Sequence, residues 1–281
     1  MRRGLLNAAL VMLLTASQPA RAAVPPDFQD GFRLLYETKF QEARWQFLQW
    51  EKVNPQDPLG HAWEAASYLF EEFYRQGVLT SQFFLDDKKF LEGVEGPPDS
   101  EARDRFLAAC ATAKELGKMR LAKNPQDADA LLALTVTAGM LADYASIIDK
   151  HPLESLRRIR ESETYAEQLL AVKPDSADAY LALGAANYII GSLPFHKRLL
   201  LRLGGIRGDR EVGMQQLART AAQGNYLRPF AKILLALAAL REKQPDLART
   251  ELRQLAAEFP QNPLFVRELS LLNGSAASSA F

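Results

Sequence analysis

The chain is poor in the residues that build catalytic and metal centres. Its 281 residues include one cysteine, Cys110, and three histidines, His61, His151 and His196. A single cysteine excludes an intramolecular disulfide and any Cys-x-x-Cys site. The three histidines are too scattered for spacing alone to assemble a metal site. H-E-x-x-H, G-x-S-x-G and the phosphate-loop pattern are all missing, which removes the usual signatures of zinc protease, serine hydrolase and nucleotide-binding chemistry. Charge of one sign is missing too. Thirty-four basic residues balance 34 acidic ones, so no global bias points to nucleic acid or to an anionic surface. No cofactor and no catalytic or metal set is expected.

The remaining candidates for chemistry each have a plainer structural explanation. Cys110 lies in Ala108-Ala109-Cys110-Ala111, a helical run, and is expected to be a small core residue. Gly204-Gly205-Ile206-Arg207-Gly208 lacks the strand that precedes a phosphate loop and is expected to be a helix connector. Glu71-Glu72 and Asp86-Asp87 are expected to lie on a solvated helix face or loop.

What is present is enough for a packed core: 48% of residues are apolar and 24% charged. Residues 1–22 have the layout of a secretory signal peptide. Arg2-Arg3 form a basic start, Leu5–Leu14 an apolar run broken only by Asn7, and Ala20-Arg21-Ala22 a small-x-small cleavage site. The run is shorter than the roughly 20 apolar residues that span a bilayer. Cleavage near Ala22-Ala23 and export to the periplasm or medium are therefore expected. The mature chain would lose Arg2, Arg3 and Arg21 and become slightly acidic.

The clearest periodic stretch is 229–262. Pro229 can open a helix, and Ile233, Leu234, Leu237 and Leu240 recur at helical spacing. A polar break through Pro245 follows. A second helix then carries Leu247, Ala248, Leu252, Leu255 and Phe259 and is stopped by Phe259-Pro260. Similar junctions recur at Asn54-Pro55-Gln56-Asp57, Asn124-Pro125-Gln126-Asp127 and Lys173-Pro174-Asp175-Ser176. Each sets a proline stop two residues before Asp, Ser or Asn, side chains that can cap the next helix.

This hairpin resembles a tetratricopeptide (TPR) unit. With Pro260 on the pattern's proline, Ala236 and Ala248 fall on its small positions, while Lys232 and Leu252 occupy its aromatic ones. Residues 24–57 match similarly, with Gly31, Ala43 and Phe47 in register, and Tyr180, Leu183 and Gly184 follow the family's W-x2-L-G order. The resemblance implies an all-α, TPR-like right-handed α-solenoid of about five helical hairpins with insertions and a C-terminal capping helix. The expected units are 24–57, 58–127, 128–176, 177–227 and 229–262, then a cap at 263–273 and a loose tail at 274–281. Unit 58–127 is about twice the family's length, and its excess, Gly77–Asp99, is expected to be an excursion with a loop at Gly93–Pro98. Arg210-x-x-Gly213 opposite Gly184 suggests a close helix crossing.

The resemblance further implies a concave face built by the first helix of each hairpin. Its candidate partner-binding residues are Phe28, Phe32, Tyr36, Phe70, Val136, Met140, Tyr188 and Leu237. The Lys, Asn and Arg that clamp peptide carboxylates in some family members are absent there. An apolar lining would suit an amphipathic helix of a protein partner or, alternatively, an apolar small molecule or lipid. The insertions at 77–99 and 193–208 could fill the groove instead. A second candidate surface is Leu193–Arg210, with Lys197, Arg198, Arg202 and Arg207 among leucines. Contact with an anionic membrane is one reading. The favoured one is a connector whose leucines pack on neighbouring helices. The function expected is that of an exported, non-enzymatic scaffold for a protein or peptide partner.

Overall fold

The computed structural model describes residues 28–278, and among them it contains fourteen helices and no strand. The expected signal segment, residues 1–22, lies outside the described residues. The helices pair as successive hairpins. The first is α1 (Phe28–Tyr36) with α2 (Phe40–Val53), and the second is α3 (Pro58–Arg75) with α6 (Ser100–Lys123). Next come α7 (Ala128–Ile147) with α8 (Pro152–Val172) and α9 (Ala179–Ser192) with α11 (Arg210–Gln223). The last pair is α12 (Arg228–Arg241) with α13 (Pro245–Glu258), closed by α14 (Pro263–Ser278). Short helices α4 (Ser81–Leu85) and α5 (Asp87–Glu92) lie in the first insertion, and α10 (Phe195–Leu203) in the second. Each major helix packs on its neighbour in sequence, giving the all-α solenoid of helical hairpins that the repeats foretell.

Local chemistry sets most boundaries. The Asp57 carboxylate accepts from Leu59 N–H at 3.1 Å, Asp127 from Ala130 N–H at 3.0 Å and Asn262 from Leu264 N–H at 2.8 Å. Each satisfies a donor that the first turn leaves free. Three boundaries differ from expectation. Helix α6, expected over about 101–123 and opened by Ser100, is capped by Asp99, which accepts from Ala102 N–H at 2.8 Å. Ser176 does not cap α9, which begins three residues later. Helix α14 continues to Ser278, five residues into the expected tail.

Helix α7 is long and apolar enough to cross a bilayer, yet it is the central core helix. Leu131, Leu134, Thr135 and Thr137 on it are fully buried between α3, α6 and α8. On the far side of the array, α9 and α11 cross at Gly184 and Gly213. A Cβ on Gly213 would lie 2.6 Å from the Tyr188 backbone nitrogen, so any side chain there pushes two backbones apart. Gly213→Ala is expected to lower stability by roughly 2 kcal/mol, read as a lower denaturant midpoint with unchanged helix content in water.

The array does not stay open, because its two ends meet. The Tyr226 ring, in the turn before α12, packs against Phe28 and Phe32 of α1 and Trp63 of α3, with centroids 6.1, 5.5 and 5.6 Å away. Tyr36 packs at a tilt on Phe259 at 5.3 Å, and Phe70 meets Phe230 edge-on at 5.3 Å. Asn262 Nδ2 donates to the Tyr36 carbonyl at 2.7 Å, and Lys39 bonds Gln261. The first insertion adds to the seam. Phe83 of α4 is buried, Arg241 of α12 donates to the Phe84 carbonyl, and Ser81 donates to Glu268 of α14. Its other end is pinned to α7, where Val94 N–H donates to the Ile147 carbonyl at 2.9 Å. Gly93, at φ 74°, makes that approach possible, since a Cβ there would sit 2.3 Å from the same oxygen.

Candidate functional site

The candidate groove is the interior of this closed array. Phe28, Phe32, Tyr36, Val136, Met140 and Tyr188 are all buried, and Phe70 and Leu237 are partly so. The expected open concave face is therefore corrected. The Phe28, Phe32, Tyr36 and Phe70 rings pack against the opposite end of the chain, and Val136, Met140 and Tyr188 are buried in the core, so they offer no open lining for a peptide or lipid. The Tyr188 hydroxyl bonds the Ala238 carbonyl and Glu242 at 3.3 Å each, and so ties α9 to α12.

Two residues at the seam carry no periodic signal. Asp178 sits at the cap position of α9 but makes no cap bond there. Its buried carboxylate instead accepts from Asn225, Tyr226 and Leu227 N–H at 3.0, 3.2 and 3.0 Å. Burial pushes this carboxyl above the usual range, and the three backbone donors pull it back. The same three bonds aim the Tyr226 ring into the aromatic cluster. A hint was available: Asp178 precedes α9 where Ser176 was the expected cap, and Gly224-Asn225 marks an irregular turn. Asp178→Ala strands three donors at about 1–3 kcal/mol each when buried. Only the Leu227 donor is fully buried, so the expected cost in chemical denaturation is on the order of 1–3 kcal/mol.

In the 77–99 excursion, Asp86 and Glu95 face solvent. The Asp86 carboxylate accepts from Lys88 and Lys89 N–H at 2.9 and 3.2 Å, a cap for α5. Cys110 is buried, and burial raises its thiol far above the ordinary value, which keeps it protonated and inert. Asp143 on α7 is pushed up to about 7 by burial. It is a single carboxyl, not an acid–base pair.

His61 has partners that sequence spacing did not reveal. Its Nδ1 lies 3.1 Å from Glu51 of α2 and 3.9 Å from Glu64 of α3. These three donor groups lie within 4.8 Å of one another, close enough to share a cation. They are also complete as an ion pair. Burial disfavours the imidazolium, but the bonds and charges of the two glutamates outweigh it and raise the pKa to about 9. A histidine raised from 6.5 in this way adds stability fully present below pH 6.5 and lost as pH rises through about 9. The amount is on the order of 3 kcal/mol. Unfolding free energies from denaturation at pH 6 and at about pH 9.5 should differ by this amount more in the parent chain than in His61→Asn.

The second candidate surface also departs from expectation. Helix α10 buries none of its residues. Phe195, Leu200 and Leu203 are 68%, 68% and 80% exposed. The favoured reading of packed leucines is thus overturned, and each such side chain leaves about 1.5–3 kcal/mol of burial unrealised. Lys197, Arg202 and Arg207 are exposed, while Arg198 turns inward and donates to the Gly191 carbonyl at 3.2 Å.

A further depression lies outside the array, between the α2–α3 turn and the end of α6. It holds about 450 Å³ and is lined by Asn54–Asp57, Leu116, Met119, Arg120 and Lys123. Arg120 forms its floor, held by Asp127 at 2.8 Å and Asp57 at 3.6 Å.

No protein-family model and no curated protein matches this chain. Among solved structures it is similar to a thermophilic TPR protein of Thermus thermophilus, with 16% identity and a TM-score of 0.45 over 88% of this chain and 98% of that one.

Proposed function

We propose that this chain is an exported, non-enzymatic helical-repeat scaffold that engages a protein partner through its outer surface. The observation that carries the reading is where the apolar side chains lie. The inner face is sealed by the meeting of the two ends, whereas Trp45, Val53 and Met119 stand 57%, 64% and 43% exposed on the second helices of the first two hairpins. The depression between Asn54 and Lys123 adjoins Val53 and Met119 and could seat one apolar anchor with polar groups around it, the usual anatomy of a contact hot spot. Export rests on the basic, apolar and small-residue pattern of residues 1–22.

This moves the contact from the concave face to the convex one. A photo-reactive amino acid at Met119 or Val53, in the full chain expressed in its source cell, should cross-link to a discrete polypeptide. The same group at Val136, inside the array, should not. Cross-linking only from Val136, or native mass spectrometry showing a bound species of a few hundred daltons, would contradict the reading and favour a small-molecule carrier.

A further inference from the structure

We infer that α10 is a membrane-docking helix that lays its apolar face on an anionic bilayer. The inference is independent of the protein-contact reading above and rests on a different surface. With about 100° between successive residues, Phe195, Leu199 and Leu203 form one row, and Leu200 lies on the same face with exposed His196 between it and Leu203. All four apolar side chains are exposed, Leu199 the least at 49%. Lys197 and Arg202 border this face on either side, and both are exposed. The opposite side of the helix carries Arg198 and Leu201, both partly covered. The helix is therefore fixed with its apolar row outward. This is the arrangement of an interfacial helix, in which apolar side chains enter the acyl boundary and flanking cations reach the headgroups.

Charge distinguishes this stretch from the rest of the chain. Leu193–Gly208 contains four basic residues and no acidic one, although the whole chain is balanced at 34 and 34. Among the described residues, no carboxylate pairs with Lys197, Arg202 or Arg207. Of the acids lining the cleft beneath the helix, Asp209 and Glu242 are engaged elsewhere, and Glu211 accepts from the Gln215 amide at 3.5 Å. Asp209 caps α11 through Glu211 and Val212 N–H at 2.9 and 3.1 Å, and Glu242 pairs with Arg210 at 3.0 Å. The positive charge at α10 is thus left for something outside the molecule.

The helix also stands off the body. A cleft of about 620 Å³ runs beneath it, lined by Arg198, Arg202, Arg210, Met214 and Glu242 among others. Pro194 and Gly204-Gly205 bound the helix, so it is presented on a short strap. A convex, single-helix apolar ridge with cations along both borders fits a flat, negatively charged surface. It has no concavity for a partner's anchor residue.

The test places an environment-sensitive nitrobenzoxadiazole label on Leu199→Cys in the full chain, with Val53→Cys on α2 as the control. Cys110 is buried with its thiol raised, so the label enters the introduced cysteine. The label at 199 should shift to the blue with vesicles containing about 30% phosphatidylglycerol, and not with phosphatidylcholine alone. The shift should weaken when salt is raised from about 0.1 M to about 0.5 M. Replacing Lys197 and Arg202 together by alanine should lower vesicle affinity about 25-fold, about fivefold for each cation near the surface. Leu203→Asp should abolish binding without moving the melting temperature. Binding through the apolar segment at residues 5–14 is distinguished by the α10 substitutions, which would leave it unchanged. A flat response at 199, or an equal response at 53, overturns the proposal. So does a blue shift without vesicles that grows with protein concentration, which would assign α10 to contact between two copies.

Discussion

One buried carboxylate, Asp178, gathers three consecutive N–H groups of the turn before α12. It fixes the path of that turn and so the position of the Tyr226 ring. That ring is the meeting point of Phe28, Phe32 and Trp63. A helical-repeat array normally stabilises itself by nearest-neighbour contacts alone. Here a long-range contact joins the first hairpin to the fifth. Each aromatic pair contributes on the order of 0.5–1.5 kcal/mol beyond the area it buries. The sum is enough to hold a nine-residue α1, which by itself would be too short to persist in water.

Closure decides what the fold can do. An open solenoid offers a groove, while a closed one turns the same residues into core. Phe32, Val136 and Tyr188 occupy groove positions by register, but Phe32 packs on Tyr226 from the opposite end of the chain, Tyr188 bonds α12, and Val136 is buried in the core. The first insertion completes the seal, with Phe83 inside and Phe84 anchored to Arg241. The second insertion does the reverse, holding α10 away from the body with its leucines uncovered. Two insertions into one repeat pattern thus serve opposite ends, one stabilising the interior and one equipping the surface.

The hairpins were legible because their signals are local. A proline stop followed by Asp or Asn marks a boundary within four residues, and Asp57, Asp127 and Asn262 cap as their positions suggest. The crossing at Gly184 and Gly213 was legible for the same reason, since paired small residues announce close backbones. Closure was not, because it depends on residues more than a hundred positions apart and on a tyrosine in a turn that belongs to no helix period. Asp178 reads as a helix cap and acts as a long-range acceptor. His61 lacks a second histidine at ligand spacing, and its partners are instead glutamates one helix away and three residues on. The leucines of α10 have the spacing of packed ones, and only the missing neighbour shows otherwise.

Hydrogen exchange of α1 tests the closed array most directly, because that helix gains its protection from the opposite end of the chain. With the ends joined, the amides of Phe32–Tyr36 should exchange as slowly as those of central helix α7, and Tyr226→Ala should release them while α7 stays protected. Rapid exchange of α1 in the parent chain, with α7 protected, would show that the ends do not hold together in solution and would return the inner face to the role of an open groove.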